Sequence, residues 1–274
     1  MLDEVGRVVH APTRARRARI RRRLLAAALI LAAFGTLWIS RARWSPLVFS
    51  TNPYEATPAE NFPAGEAGLT LPPAGPVDGM TAEAVGDALT RVQQALVASY
   101  LDPRMLTDHD PKPVFDLLAP DSAAIVAPRF AAGGYGTTLI RLAPGNPLAA
   151  PPRVSGQLTY QRVDWNGIPA LDVISNYVFA YAFGKPSGVV VIHSETHWMF
   201  PLSTTLRPSS RGMYLGRTSG YWHGMDCTAA AHGFTAPAPP VDAAANPGYS
   251  DKDPLDAYFD PTRSVRVDSG CQGS

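Results

Sequence analysis

Apolar residues recur along this chain in three rhythms, and each predicts a different kind of element. The first is an unbroken run. Leu24 to Ser40 holds seventeen residues without a charge, about 25 Å as a helix at 1.5 Å per residue. That length lies within the range for crossing a hydrocarbon core of roughly 30 Å. The second rhythm steps by three and four. Val85, Ala88, Leu89, Val92, Leu96 and Tyr100 form one stripe after Thr81, a residue suited to cap a helix, with Glu83 in the favourable first turn. Asp102-Pro103 ends this helix. Pro113 starts a short helix through Val114, Phe115, Leu117 and Leu118. Asp121 caps another through Ile125 to Phe130, and Gly133, Gly134 and Gly136 break the pattern.

The third rhythm is alternation, and it begins at Pro152. Val154 to Trp165 alternates, Asn166-Gly167 supplies a hairpin turn, and Ile168 to Phe183 returns. Gly184 to Gly188 turns again into a third strand, Val189 to Phe200. Gly212 to Trp222 makes a fourth. Four long strands joined by turns predict an antiparallel meander. Two or three helices precede it, so the fold class is α+β, with the helices on one face of the sheet.

These rhythms divide the chain into five parts: a basic leader over 1–23, a transmembrane helix over 24–40, a linker over 41–80, an ectodomain over 81–228 and a tail over 229–274. The linker carries seven prolines between Ser45 and Met80, a density that predicts an extended, semi-rigid spacer. The tail reads as a second extended segment, rich in alanine and proline.

Charge orients the first helix. Seven arginines crowd residues 14–23, and basic flanks stay cytoplasmic. Trp38 and Trp44 suit the far interface. The N-terminus is then inside and the rest outside. A cleaved export signal is the rival reading, with Ser40 and Ala42 as small residues at the cleavage spacing, beside the unfavourable Arg41 and Arg43. Residues 1–44 carry +8 of a total of +1, which leaves −7 on the exported part. An acidic ectodomain argues against nucleic acid as a partner through bulk electrostatics.

The two cysteines, Cys227 and Cys271, both fall outside the membrane, and an even count in an exported domain reads as a disulfide. A free reactive thiol is the alternative.

Candidate chemistry concentrates on the third strand. His193, Glu195 and His197 point one way from it. His193 and His197 stand about 13 Å apart along a strand, too far to share one metal ion at roughly 2.1 Å from each nitrogen. They read as a polar sheet face, as the lining of a binding pocket with Tyr177 and Tyr181, or as acid–base groups. Tyr177, Phe179, Tyr181 and Phe183 share a face of the second strand and otherwise pack beneath helices. Asp108-His109-Asp110 offers metal-capable side chains in what reads as a solvated turn. Gly134-Tyr135-Gly136 lacks the third glycine and the preceding strand of a dinucleotide loop. No cofactor is implied. His223-Gly224-Met225-Asp226-Cys227 is faintly similar to the His-Gly-Cys motif of exported cell-wall transpeptidases, but two residues separate glycine from cysteine.

One long helix, shorter helices and four long antiparallel strands, with Asn166-Gly167 and the Val189-to-Phe200 strand as the clearest parts, resemble the nuclear-transport-factor-two-like cone fold. The basic leader, single span and proline linker together resemble membrane-anchored actinobacterial proteins with such an ectodomain. The resemblance implies a curled four-stranded sheet, with Thr137 to Leu142 standing where that family places a first short strand. It implies no activity, since members include enzymes, ligand binders and scaffolds. The function expected is a non-enzymatic accessory or scaffold for an envelope protein partner. The alternative is a binding module for a small or cell-wall ligand, in a pocket lined by Tyr177, Tyr181, His193, Glu195 and His197. An envelope enzyme is a third reading.

Overall fold

Thr81 caps the first long helix as expected: its hydroxyl accepts the Ala84 N–H at 3.2 Å. Helix α1, Ala82–Tyr100, follows from it. A computed structural model of the chain describes residues 52–184, 188–203, 205–239 and 253–266. The chain divides into two units, Met1–Thr51 and Asn52–Ser274, and the described residues all belong to the second. The expected span over 24–40, its basic leader and Cys271 lie outside the described residues. Among the described residues no helix is long and apolar enough to cross a membrane.

The stripe predicted for α1 is the stripe that is buried. Val85, Ala88, Leu89, Val92, Leu96 and Tyr100 are all inside, and each large apolar side chain so placed contributes roughly 1.5–3 kcal/mol relative to exposure. Asp102 stops α1 and at once caps α2, Pro103–Leu106, by accepting the Arg104 N–H at 2.8 Å. Two more helices follow, α3 at Lys112–Phe115 and α4 at Pro120–Ala131. Asp121 does not cap α4, whose N-cap is Ala119. Its carboxylate binds Arg207 and Ser210 instead, which holds it well below the usual carboxylate range, chiefly through the Ser210 hydroxyl.

The sheet is a meander in the order β1-β2-β3-β4, built from Arg153–Trp165, Ile168–Ala182, Val189–Pro201 and Tyr214–His223. Asn166 and Gly167 both take positive φ, 56° and 79°, as a two-residue turn of the primed kind requires. Register places residues of opposite parity across each pair: Trp165 faces Ile168, and Ala182 faces Val189. Tyr177, Phe179 and Tyr181 therefore share a face with Val190, Ile192 and Ser194. The helices cover that face. Tyr100 stacks on Phe179 with ring centroids 3.9 Å apart, and the Tyr181 hydroxyl donates to the Tyr100 carbonyl at 3.0 Å.

The opposite face has its own apolar cover, and this differs from the spacer and tail expected from sequence. Residues 52–80 fold onto the domain. Tyr54, Ala59 and Phe62 pack with Val178, Ala180, Val191 and Phe259 in a second, smaller core. The Gly65 N–H donates to Pro152 and the Val154 N–H to Pro63. Further along, Gln93 holds the Leu69 carbonyl and Tyr160 the Pro73 carbonyl. The tail contributes a 3₁₀ turn, Leu255–Phe259. A short helix, α5 at Cys227–Ala231, leads into residues that pair with the body at Leu142 and Met225. Residues 52–80 are not a uniform extended spacer: they include 3₁₀ turns at Pro58–Asn61 and Gly65–Gly68, and scattered aromatic residues bury enough surface to fix them.

Candidate functional site

The residues singled out on β3 stand on the back of the sheet, away from the helices. His193 is wholly buried there. Its Nε2–H donates to Asn176 Oδ1 at 2.6 Å, and its Nδ1 lies 3.2 Å from the Tyr221 hydroxyl. Tyr221 also reaches the Tyr258 carbonyl at 3.2 Å, so the tail seals this corner. Burial pushes the His193 pKa down to about 4, with Asp260 opposing that shift and Arg263 adding to it. The ring is neutral at physiological pH, and the one Tyr221 hydroxyl proton is shared between its Nδ1 and the Tyr258 carbonyl.

His197 is more open, with 14% of its side chain exposed against 5% for Asp172. Its Nδ1–H donates to the Asp172 carboxylate at 2.8 Å. That fixes Nε2 as the acceptor, and Arg217 donates to it at 2.8 Å. Glu195 lies 3.7 Å from the same nitrogen. An aspartate behind a histidine is the arrangement that orients a general base, but a base needs its free nitrogen on a nucleophile's proton. Here a guanidinium occupies it. The row is an ordered polar ladder on a sheet face.

Tyr177 and Tyr181 do not join it. Both are fully buried on the helix side, where burial raises the Tyr177 pKa to about 12 and pushes the Tyr181 pKa well above its ordinary value. The pocket expected from Tyr177, Tyr181, His193, Glu195 and His197 is therefore corrected: two opposite faces of one sheet carry these residues. β2 is buried on both sides, so alternation alone left its facing ambiguous. Asp172, Asn176 and Arg217 complete the ladder and were not anticipated. A lone acid in the apolar run of β2 was the available signal.

Among the described residues, no group of three His, Cys, Asp or Glu side chains is placed to hold a metal ion. Asp110, from the Asp108-His109-Asp110 turn, pairs with Arg104 and accepts the Lys112 N–H at 2.9 Å. Cys227 has no free thiol, and Cys271, its expected partner, lies outside the described residues.

Two concavities lie elsewhere. The larger, about 850 Å³, runs between α2 and the loop 142–152. Leu101, Leu106, Leu142 and Leu148 line it, with Pro144, Pro147, Pro151 and Pro152 along the loop. The loop is fastened at both ends: Leu142 N–H donates to Leu106, and Ala149 N–H to Ala182, each at 2.8 Å. His109 closes one end, where its Nε2–H donates to the Leu142 carbonyl at 2.9 Å. The smaller, about 390 Å³, lies between the Gly133–Thr137 loop, β4 and α5.

No family model, curated protein or solved structure matches this chain.

Proposed function

We propose that this chain is a single-pass membrane protein, N-terminus cytoplasmic, whose extracytoplasmic α+β domain binds an acyl chain of an envelope lipid. The larger groove carries this reading. Its volume of about 850 Å³ and its leucine and proline lining fit the concave, mostly apolar sites that small ligands occupy. Only Thr107, His109 and Asn146 add polar side chains to it, enough to orient a headgroup at one end. The folding of residues 52–80 onto the domain supports a short tether. Eleven residues, 41–51, then separate the expected span from the domain, a reach of at most about 40 Å. Membrane lipid is the apolar molecule within that reach.

The order of helices followed by a four-stranded meander supports a likeness to the nuclear-transport-factor-two-like cone fold, and with it the membrane-anchored actinobacterial setting. One departure stands: Thr137 to Leu142 forms no strand, and only Leu142 makes an isolated bridge, to Thr235.

Full-length protein should come out of washed membranes with acyl lipid that mass spectrometry detects after organic extraction. A Leu148→Glu variant should lose most of it. A reporter fused after Ser274 should be active outside the cytoplasm. Protein that carries no lipid and takes up no fluorescent fatty acid would overturn the reading. The second reading is an accessory or scaffold for an envelope protein partner. The rigid proline loop favours it, because a preformed groove costs little ordering when an extended segment is laid in. A stoichiometric protein in place of lipid, displaced by the same Leu148→Glu change, would select it.

A further inference from the structure

The smaller pocket shares no lining residue with the groove, so its chemistry is independent of the lipid reading. Its lining mixes polar and aromatic side chains. Arg129, in the last turn of α4, and Trp222, on β4, face it together with Phe234, Thr137 and Thr218. No carboxylate lines it among the described residues.

Three observations point to a missing anion. First, Arg129 makes no ion pair or side-chain hydrogen bond among the described residues. Second, the Arg141 guanidinium lies directly behind the pocket wall. It sits 4.5 Å from the Phe130 ring and 5.0 Å from the Phe234 ring. Its Nε–H donates to the Gly233 carbonyl at 3.2 Å, while its Nη2 is buried without a partner. Gly233, at φ +75°, has to be glycine, since a Cβ there would run into the Gly133 backbone as well as that Nη2. An arginine with one buried N–H group left short of a partner carries a positive charge that is only partly met. Third, the N–H groups of Tyr135, Gly136 and Thr137 donate to nothing among the described residues. Tyr135 holds φ +65°, a left-handed conformation that costs a non-glycine residue roughly 1–2 kcal/mol and recurs at binding sites.

We infer that this pocket binds a small organic carboxylate. The carboxylate group lies against Arg129 and the free N–H groups of the Tyr135–Thr137 loop, and its planar or apolar body lies against Trp222 and Phe234. Paired N–H donors and a guanidinium match the two oxygens of a carboxylate, and a volume of about 390 Å³ is at the small end of ligand pockets. Arg141, half-buried behind the wall, adds longer-range attraction.

Calorimetric titration of the full-length chain in nanodiscs tests this, with benzoate, benzamide and inorganic phosphate as probes. Benzoate should bind saturably and quench Trp222 fluorescence. Benzamide, the same shape without the charge, should bind at least tenfold more weakly. Arg129→Gln, at an exposed position that leaves the core untouched, should weaken benzoate at least tenfold and leave benzamide unchanged. Trp222→Phe should abolish the quench while calorimetry still records benzoate binding. Equal affinity for benzoate and benzamide, an unaffected Arg129→Gln variant, or no saturation by benzoate at millimolar concentration would each overturn the inference. Phosphate binding as tightly as benzoate would overturn the organic part of it.

Discussion

The Tyr54 hydroxyl lies 3.1 Å from the Ala180 carbonyl, 126 residues along the chain. The same oxygen accepts the Ala182 N–H at 3.3 Å and reaches the Pro151 carbonyl at 2.9 Å. One side chain from a proline-rich stretch thus fastens the end of β2 and the loop before β1. Burial raises its pKa to about 12, as expected for a phenol held inside as a donor.

Tyr54→Phe should destabilise the domain by about 1–3 kcal/mol, because buried backbone groups lose their partner. Tyr54→Ala should cost about 3–5 kcal/mol, through the cavity it leaves. Urea unfolding followed by tryptophan fluorescence measures both. A free spacer would give no change for either.

His193 makes stability depend on pH. Its pKa is about 4 in the folded chain and about 6.5 when unfolded, so between these values the unfolded state binds the extra proton. Stability is complete above pH 6.5 and falls as pH drops towards 4, by up to about 3 kcal/mol. Asp110, Asp121 and Asp260, all held below the usual carboxylate range, lose their contribution only below about pH 5, so the His193 slope stands apart from theirs between about pH 5 and 6.5. His193→Gln should flatten the slope between pH 4 and 6.5, whatever it does to absolute stability.

The Asp172–His197 pair should behave as one unit. Removing either partner leaves a largely buried polar group unmet, so Asp172→Asn and His197→Gln should each cost about 1.5–3 kcal/mol. The double variant should cost less than the sum. A cycle in which the two effects add would deny the coupling.

Cys227 and Cys271 are proposed to pair with each other. A non-reducing peptide map should join the two segments. Cys227→Ser should lower stability by roughly 4 kcal/mol in the chain-entropy account, and reductant should have no further effect on that variant. Two separate alkylated peptides without reduction would contradict the pairing.

Much of this fold was legible because local patterns and tertiary packing agree. The α1 stripe, its Thr81 cap and the Asn166-Gly167 turn are each fixed by a few neighbouring residues. The facing of β2 was half legible: Tyr177, Phe179, Tyr181 and Phe183 do pack beneath the helices, one of the two readings open for that row. Ala170 to Phe183 is apolar almost throughout, and only pairing with β1 and β3 decides that Tyr177 looks towards α1 while Val178 looks away. The fate of residues 52–80 was hidden for a related reason. Proline density describes backbone stiffness, and the lone Tyr54, Phe62 and Leu69 form no periodic stripe, yet each finds a partner far along the chain. The polar ladder was half visible: His193, Glu195 and His197 lie on one strand, whereas Asp172 and Arg217 reach them from its two neighbours.

Both margins of the chain press on one patch of sheet, where the Phe62 and Phe259 rings meet at 6.3 Å. On the proposed membrane anchor, tension would enter the domain at this patch, ahead of any strand. Peeling would begin with Tyr54 and lay bare Val178, Ala180 and Val191 while the β-ladder still held. Under load the domain would then shed an outer veneer before its sheet, because that veneer is held by a core smaller than the one under the helices.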